Sequence, residues 1–334
     1  MSTEVDWGTR YHLIQLAKLD NQLLSRFGKV LSESNPILRD MPIYPSNQIL
    51  GYTGMRETSL PTPQIVKVGD GHSASKVEWD AFSEVISMFK DRVDIPRDAL
   101  RLQKDQTAKR LLILDRHEEG FGQGVVNHLI NGTSIASPEK FDGLGVRYNT
   151  PDSTNPLNPS SSGDYGVWDM GGTGDDTSSI FMVQWAEDKV CGICPQNDPN
   201  KGIRVRDKGL VYVSAENSKD REDYRTELEW DLGLCVSDYR AVNRIRNIET
   251  AITNISTNLW KYLVQARNSF KGSEPVFIYV SPGIFNHLDI LSVDKQNVRY
   301  TSDNIWGKPL MMWRDCVVGK CDCISDAETA VAAA

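Results

Sequence analysis

The sequence predicts an α+β fold, and three observations carry that reading. Helical periodicity marks residues 9–31, 97–129 and 250–270. Strand-like runs fill much of 177–247, and Val276 to Val280 is wholly apolar, the pattern of a strand buried on both faces. Between the first two helices, Pro36, Pro42, Pro45, Pro61 and Pro63 punctuate an extended stretch with little apolar alternation. With 334 residues, 40% of them apolar, the chain can form one large domain or two smaller ones, each with a real core.

The elements follow in order. In the helix at 9–31, Leu13, Leu16, Ala17, Leu23, Leu24, Phe27 and Leu31 share a face, and Ser32 to Pro36 ends it. Residues 36–72 read as a two-stranded arm, with β-like runs at Gln48–Tyr52 and Gln64–Val68 and a loose tip around Gly51 to Ser59. An isolated hairpin is marginal in water, so this arm needs something to pack on. Residues 73–93 read as a helix: Ser75 and Glu78 form a capping box, and Trp79, Phe82, Val85, Ile86 and Phe89 form a stripe. Pro96 suits the first turn of the next helix, which runs to about Leu129 and is expected to loosen at Gly120 to Gly124.

Residues 131–176 read as loop. Ser179–Trp185, Gly209–Val213 and Leu228–Val236 read as strands, with turns at Gly192, Asn197-Asp198 and Asn217. In the helix at 250–270, Ile252, Ile255, Leu259, Leu263, Ala266 and Phe270 step by three or four, and Gly272 sits at the stop. After the strand at 276–280, Ser281-Pro282 opens a short helix ending near Leu291. Strands follow at Gln296–Tyr300 and Pro309–Trp313. The small-residue tail, Asp326 to Ala334, is expected to fray.

Charge and composition exclude several classes. The formal net charge is −8, without the basic excess or clustered basic face of a protein that grips nucleic acid. The basic runs Lys201–Lys208 and Arg240–Arg246 are flanked by acidic residues. There is no secretory signal and no apolar run approaching the ~18 residues of a membrane span. A soluble chain made in a cytoplasm is expected, and its six cysteines are then free thiols.

The catalytic search finds no constellation. Cys191-Gly192-Ile193-Cys194 has zinc-like or redox-like spacing. Pro195 follows at once, however, and Cys316, Cys321 and Cys323 match no zinc-ribbon pattern. His12, His72, His117, His128 and His287 form no ligand pair. His117 and His128, eleven apart on one helix, lie roughly 16 Å from each other. Gly171 to Asp176 is glycine-rich but lacks the Lys-Ser/Thr of a phosphate loop, and its aspartates repel phosphate. No catalytic, cofactor-binding or metal residue is assigned.

Three runs then carry a resemblance. These are Arg56-Glu57-Thr58-Ser59-Leu60-Pro61 into Val68-Gly69-Asp70-Gly71, Ser137 to Leu144, and Arg225 to Ile248 with Trp230-Asp231-Leu232-Gly233-Leu234 and Tyr239-Arg240-Ala241-Val242. In that order they resemble the major capsid proteins of short-tailed (podovirus-type), double-stranded DNA bacteriophages, in particular the epsilon-fifteen-like group. The similarity covers nearly the whole chain. The resemblance implies the tailed-phage major capsid protein fold: an N-arm at 1–35 and an extended β-hairpin loop at 36–72. A peripheral domain with a long spine helix takes 73–150, 225–250 and 295–330, and an axial domain takes 151–224 and 251–294.

It also implies subunits that form hexamers and pentamers, closing into an icosahedral shell around packaged DNA, without sequence-specific binding and without a membrane. The implied partners are the chain itself, a separate scaffolding protein, a portal and a decoration protein. The implied location is the virion capsid, assembled in the host cytoplasm. Some relatives crosslink through a lysine and an asparagine. Lys67 lies in the arm, but no crosslink is expected of it. The rival readings are another virion protein or an α/β enzyme. Roughly 35 residues of arm without a core of their own argue against an enzyme.

Overall fold

The computed structural model describes residues 36–101, 106–135, 137–152, 156–157, 163–197, 202–215, 219–250, 259–272, 274–293, 300–305 and 308–333. The helix expected at 9–31 lies outside them, as does the first part of the one expected at 250–270.

A short helix α1 (Pro36–Asp40) leads to β1 (Ile43–Pro45), β2 (Gly51–Ser59) and the 19-residue β3 (Glu78–Pro96). Then come α2 (Arg97–Arg101), the spine helix α3 (Gln106–Asn131) and α4 (Leu144–Arg147). Six strands or strand partners follow in two groups: β4 (Val167–Asp169), β5 (Thr177–Gln184), β6 (Val190–Cys194), then β7 (Arg204–Ala215), β8 (Lys219–Val236) and β9 (Val242–Glu249). The chain closes with α5 (Leu259–Ser269), β10 (Val276–Val280), α6 (Pro282–Val293), β11 (Tyr300–Ile305), β12 (Lys308–Trp313) and β13 (Cys316–Lys320).

The strands make two sheets. One is six-stranded, in the order β1-β6-β8-β3-β2 with β7 also paired to β8. The other is seven-stranded, in the order β11-β12-β13-β10-β5-β9-β4. The sheets cut across the expected segment division. β7 sits with β3 and β8, and β11 to β13 sit with β10. Every residue of β5 is buried, as a strand flanked by β9 and β10 and covered on both faces must be. One core cluster joins Val125, Val126 and Leu129 of α3 to Leu228, Trp230 and Leu232 of β8 and Phe181 of β5. A second packs Leu259, Leu263 and Ala266 of α5 with Ile284 and Leu288 of α6 against Ile180, Ile245 and Ile278.

Residues 73–93, expected as a helix, are mostly strand. The 3–4 spacing of Trp79, Phe82, Ile86 and Phe89 hid a period of two. From Ser87 to Val93 the inward positions are Ser87, Phe89, Asp91 and Val93, and two of these are polar. Each polar one has its own partner. Ser87 Oγ donates to Glu139 O (2.8 Å) and accepts from Phe141 N (3.2 Å), and Asp91 meets His117 Nδ1 at 2.7 Å. Pairing with β8, from Ile86↔Gly233 to Pro96↔Asp223, then outweighs local propensity.

Other expectations change as well. The arm hairpin pairs β2 with residues 78–85 of β3, so Gly51–Ser59 is a strand and the tip is 60–77. Gly192 is no turn but the middle of β6, paired with Leu234 on one side and Ile43 on the other. α3 runs unbroken through Gly120 and Gly124. The strand expected at Gln296–Tyr300 begins only at Tyr300 among the described residues, and β13 had no sequence signal. The tail does not fray through Val331. Thr177 and Glu328 exchange backbone hydrogen bonds (3.2 and 2.7 Å), Ala330 N donates to Gly174 O (2.8 Å), and Val331 N donates to Asn247 Oδ1 (3.1 Å). Its small side chains let the backbone lie close to the sheet edge. α5 ends as the sequence predicts, with Gly272 at φ 94° in the left-handed region.

Candidate assembly surface: the arm and its root

The arm is built from backbone pairing rather than burial. Its register runs from Gly51↔Val85 to Glu57↔Trp79, with an irregularity before Ser59↔Glu78. Beyond it, Pro61 and Pro63 withhold ladder donors. A Lys67–Asp70 turn (Asp70 N to Lys67 O, 3.1 Å) and a Gln64–Ser73 side-chain bond of 2.7 Å shape the tip. Every residue from Glu57 to Ala81 is exposed. Leu60, Ile65, Val68 and Trp79 are among them, with Ile65 and Val68 wholly in solvent. Such a run of uncovered apolar side chains marks a contact surface.

The root, by contrast, is clamped. Arg56 donates to Val236 O (2.7 Å) and Ser237 O (2.8 Å), with its guanidinium 4.9 Å from the Phe82 ring centroid and 5.7 Å from that of Tyr239. Gly54 leaves room for Phe82: a Cβ there would stand 2.6 Å from the ring. Below, Glu84 accepts a two-pronged bond from Arg147 (2.6 and 2.5 Å), and Arg147 Nε donates to Asp142 O (2.8 Å). Burial alone would lower the Arg147 pKa, but the Glu84 carboxylate more than reverses this and raises it. The same root carries Cys191 directly opposite Cys235, packed with Ile86 and Ile193.

Behind the root, the spine helix locks to β3. His117 bonds Asp91, holding that carboxyl below its usual range, and His128 stacks edge-on with Phe141 at 4.6 Å and Phe89 at 5.5 Å. Burial pushes the His128 pKa down. The segment 137–144 is therefore held between β3 and α3. The 225–248 segment supplies β8 and β9, and its Arg244 is buried against Glu328 Oε2 (2.9 Å), Ser179 and the carbonyls of Gly145 and Tyr148. Burial depresses the Arg244 pKa to about 10 despite the Glu328 carboxylate.

The cysteines are spread over the fold. Cys191 and Cys194 lie three apart on β6 and so point to opposite faces, whereas Cys316, Cys321 and Cys323 lie at and after β13. Among the described residues, no group of three or more His, Cys, Asp or Glu is placed to hold a metal ion. Nor, among them, is any helix long and apolar enough to cross a membrane. Two shallow depressions, at Lys90–Arg92 with Glu227–Glu229 and at Asp91 with Arg116, His117, Gly120 and Phe121, pair no nucleophile with a base among the residues that line them. Sequence reasoning missed the root clamp of Arg56, Glu84 and Arg147. Of the three, only Arg56 lies in a run that carries the resemblance, and nothing local marks Glu84 or Arg147 as partners.

The family profile described as Major capsid protein GP7 matches residues 21–332. No curated protein matches the chain. Among solved structures, a chain of the near-atomic structure of bacteriophage Epsilon15 is similar with a TM-score of 0.66 and 22% identity, over 87% of this chain and 88% of that one. The capsid of bacteriophage JBD30 is similar with a TM-score of 0.51 and 10% identity, over 87% and 91%. The JBD30 capsid decorated with minor capsid protein trimers gives a TM-score of 0.50 and 12% identity, over the same shares of 87% and 91%. A profile match along nearly the whole length, on a fold shared with phage shells, means that the chain belongs to the family of phage major capsid proteins described as GP7.

Proposed function

We propose that this shell-forming subunit assembles into hexamers and pentamers that close around double-stranded DNA, with the arm of each copy laid over its neighbour. The observation that carries this is the arm. From Gly51 to Ser83 no residue is buried, yet Arg56 and the Glu84–Arg147 pair fix the direction in which the arm leaves the body. A rigidly aimed, uncovered apolar hairpin gains its stability only on contact, and repeated contacts multiply in a closed lattice.

The division into N-arm (1–35), extended loop (36–72), peripheral and axial parts goes with this reading. Redrawn along the sheets, the peripheral part takes the six-stranded sheet with α3, so that β6 and β7 move into it, and the axial part takes the seven-stranded sheet with α5 and α6, so that β9 and β11 to β13 move there. Assembly in the host cytoplasm on a separate scaffolding protein, with a portal at one vertex, belongs to the same reading. A decoration protein is a further partner, since the JBD30 capsid carries minor capsid protein trimers. Electron microscopy of the chain expressed alone, and then with a scaffolding partner, tests it. Closed shells, sheets or hexameric rings support it, and a uniform compact monomer under both conditions overturns it.

A further inference from the structure

The six-stranded sheet has one face packed on α3 and one turned away from it. On the second face, register places Lys90 opposite Glu229 and Arg92 opposite Glu227. From the other side of β8, Arg206 also stands opposite Glu227 and reaches Glu229 at 3.6 Å. The irregularity between Asp207 and Gly209 turns Lys208 onto Glu227 at 2.9 Å, and Arg221 meets Asp223 at 2.8 Å. Central acids are thus flanked by cations on both neighbouring strands.

Depth separates the outer cations from the acids, while Arg204 and Arg225, 25% and 19% exposed, lie in the pleat on Asp231 and Asp94. The side chains of Lys90, Arg92, Arg206, Lys208 and Arg221 are 45–61% exposed, whereas Asp94, Asp223, Glu227 and Glu229 are 0–23% exposed. The carboxylates lie in the pleat and the cation heads stand over them. A partner approaching this face meets positive charge, although the chain as a whole carries −8. Strand spacing of about 5 Å sets the heads in a regular array suited to a repeating polyanion.

We propose that this face is where the subunit meets the phosphate backbone of the enclosed double-stranded DNA, as a weak, sequence-independent contact. This rests on the reading of the chain as the wall of a DNA-filled shell. Each cation keeps its carboxylate, so a single subunit holds DNA loosely and the duplex can slide during filling. Many copies together still order its outermost layer.

The test is binding of linear double-stranded DNA to the full chain across about 50 to 200 mM salt, with electron microscopy of shells in parallel. Wild-type affinity should fall with salt. The triple variant Lys90→Gln/Arg92→Gln/Arg206→Gln should lower the log–log slope by about 2 to 3 and weaken low-salt binding roughly ten-fold or more. Arg97→Gln, which removes an exposed cation from the opposite face, should change neither. Equal slopes for wild type and triple variant overturn the proposal. Loss of shells with DNA binding intact also overturns it and makes the face a seam between copies. Polyglutamate binding tighter than DNA overturns it in favour of an acidic protein partner. Wild type that binds DNA but never assembles sinks the shell reading on which the proposal rests.

Discussion

The arm hairpin and the β9-β5-β10 ladder are both antiparallel pairings, and they are stabilised in opposite ways. In the ladder, all eight residues of β5 are buried, and side chains from α5 and α6 fill the space above it. In the arm, nothing from Gly51 to Ser83 is buried, and order comes from backbone bonds plus the clamp at the root. Hydrogen bonds exchange water for protein partners at a small net gain, whereas apolar burial supplies most of the driving force. The ladder is therefore held by burial within one chain, whereas the arm has no burial of its own in the subunit.

Changes to the ladder should unfold the chain. Phe181→Ala empties a fully buried site in the core shared with α3 and β8 and should cost about 3–5 kcal/mol, read as a fall in the denaturant midpoint. An unchanged midpoint would break the contrast at its strong end. Next comes the boundary between the regions. Arg147→Met leaves the Glu84 carboxylate buried without its fork and should cost about 3 kcal/mol, while also freeing the arm's direction. Limited proteolysis cutting faster within 57–81 would show the second effect.

A smaller effect sits between spine and sheet. His117 holds the Asp91 carboxyl below its ordinary value of 3.8, by a hydrogen bond first and by charge second, against the opposing effect of burial. A depressed folded-state pKa adds stability at pH values above 3.8, and this is lost as pH falls through the folded value. Wild type should thus exceed Asp91→Asn in urea stability by about 1 kcal/mol near pH 5, and the gap should close on acidification below that range. A gap that widens in acid would mean that the pair does not contribute in this way. Smallest for the subunit is the arm tip. Replacing Pro61–Lys76 by a two-residue turn should shift subunit stability by less than about 0.5 kcal/mol, because none of those residues is buried, while abolishing shell formation by microscopy. A large loss of subunit stability would show that the tip belongs to the chain's own core.

Much of the fold can be read from residue order alone. Val276–Val280 matches its strand end to end, because a short run rich in β-branched and aromatic residues suits a strand paired on both edges. The glycine stop of α5 and the spine helix followed from periodicity and caps, and the arm's need of a partner followed from its prolines and sparse apolar content. The family resemblance, carried by three runs in order, agrees with a profile spanning 21–332. Where the reading of β3 failed, a polar residue stood at a core position. Ser87 and Asp91 broke the alternation of β3, and their partners, Phe141 and His117, lie 54 and 26 residues away.

Composition, periodicity and motif order by themselves determined the α+β class, an uncovered arm, a long spine helix and the capsid resemblance, since each depends on contacts within a few residues or on the linear order of elements. Tertiary structure alone decided that β3 is a strand, that the tail docks through Glu328, and that cations from residues 90–92, 206–208 and 221 share one face. Those charges are scattered in a chain of net −8 and look like solvated surface. The β7–β8 hairpin sets Arg206, Lys208 and Arg221 by short-range pairing, but only the register of β3 on β8, strands more than a hundred residues apart, brings Lys90 and Arg92 to the same buried carboxylates, and no local pattern encodes that pairing.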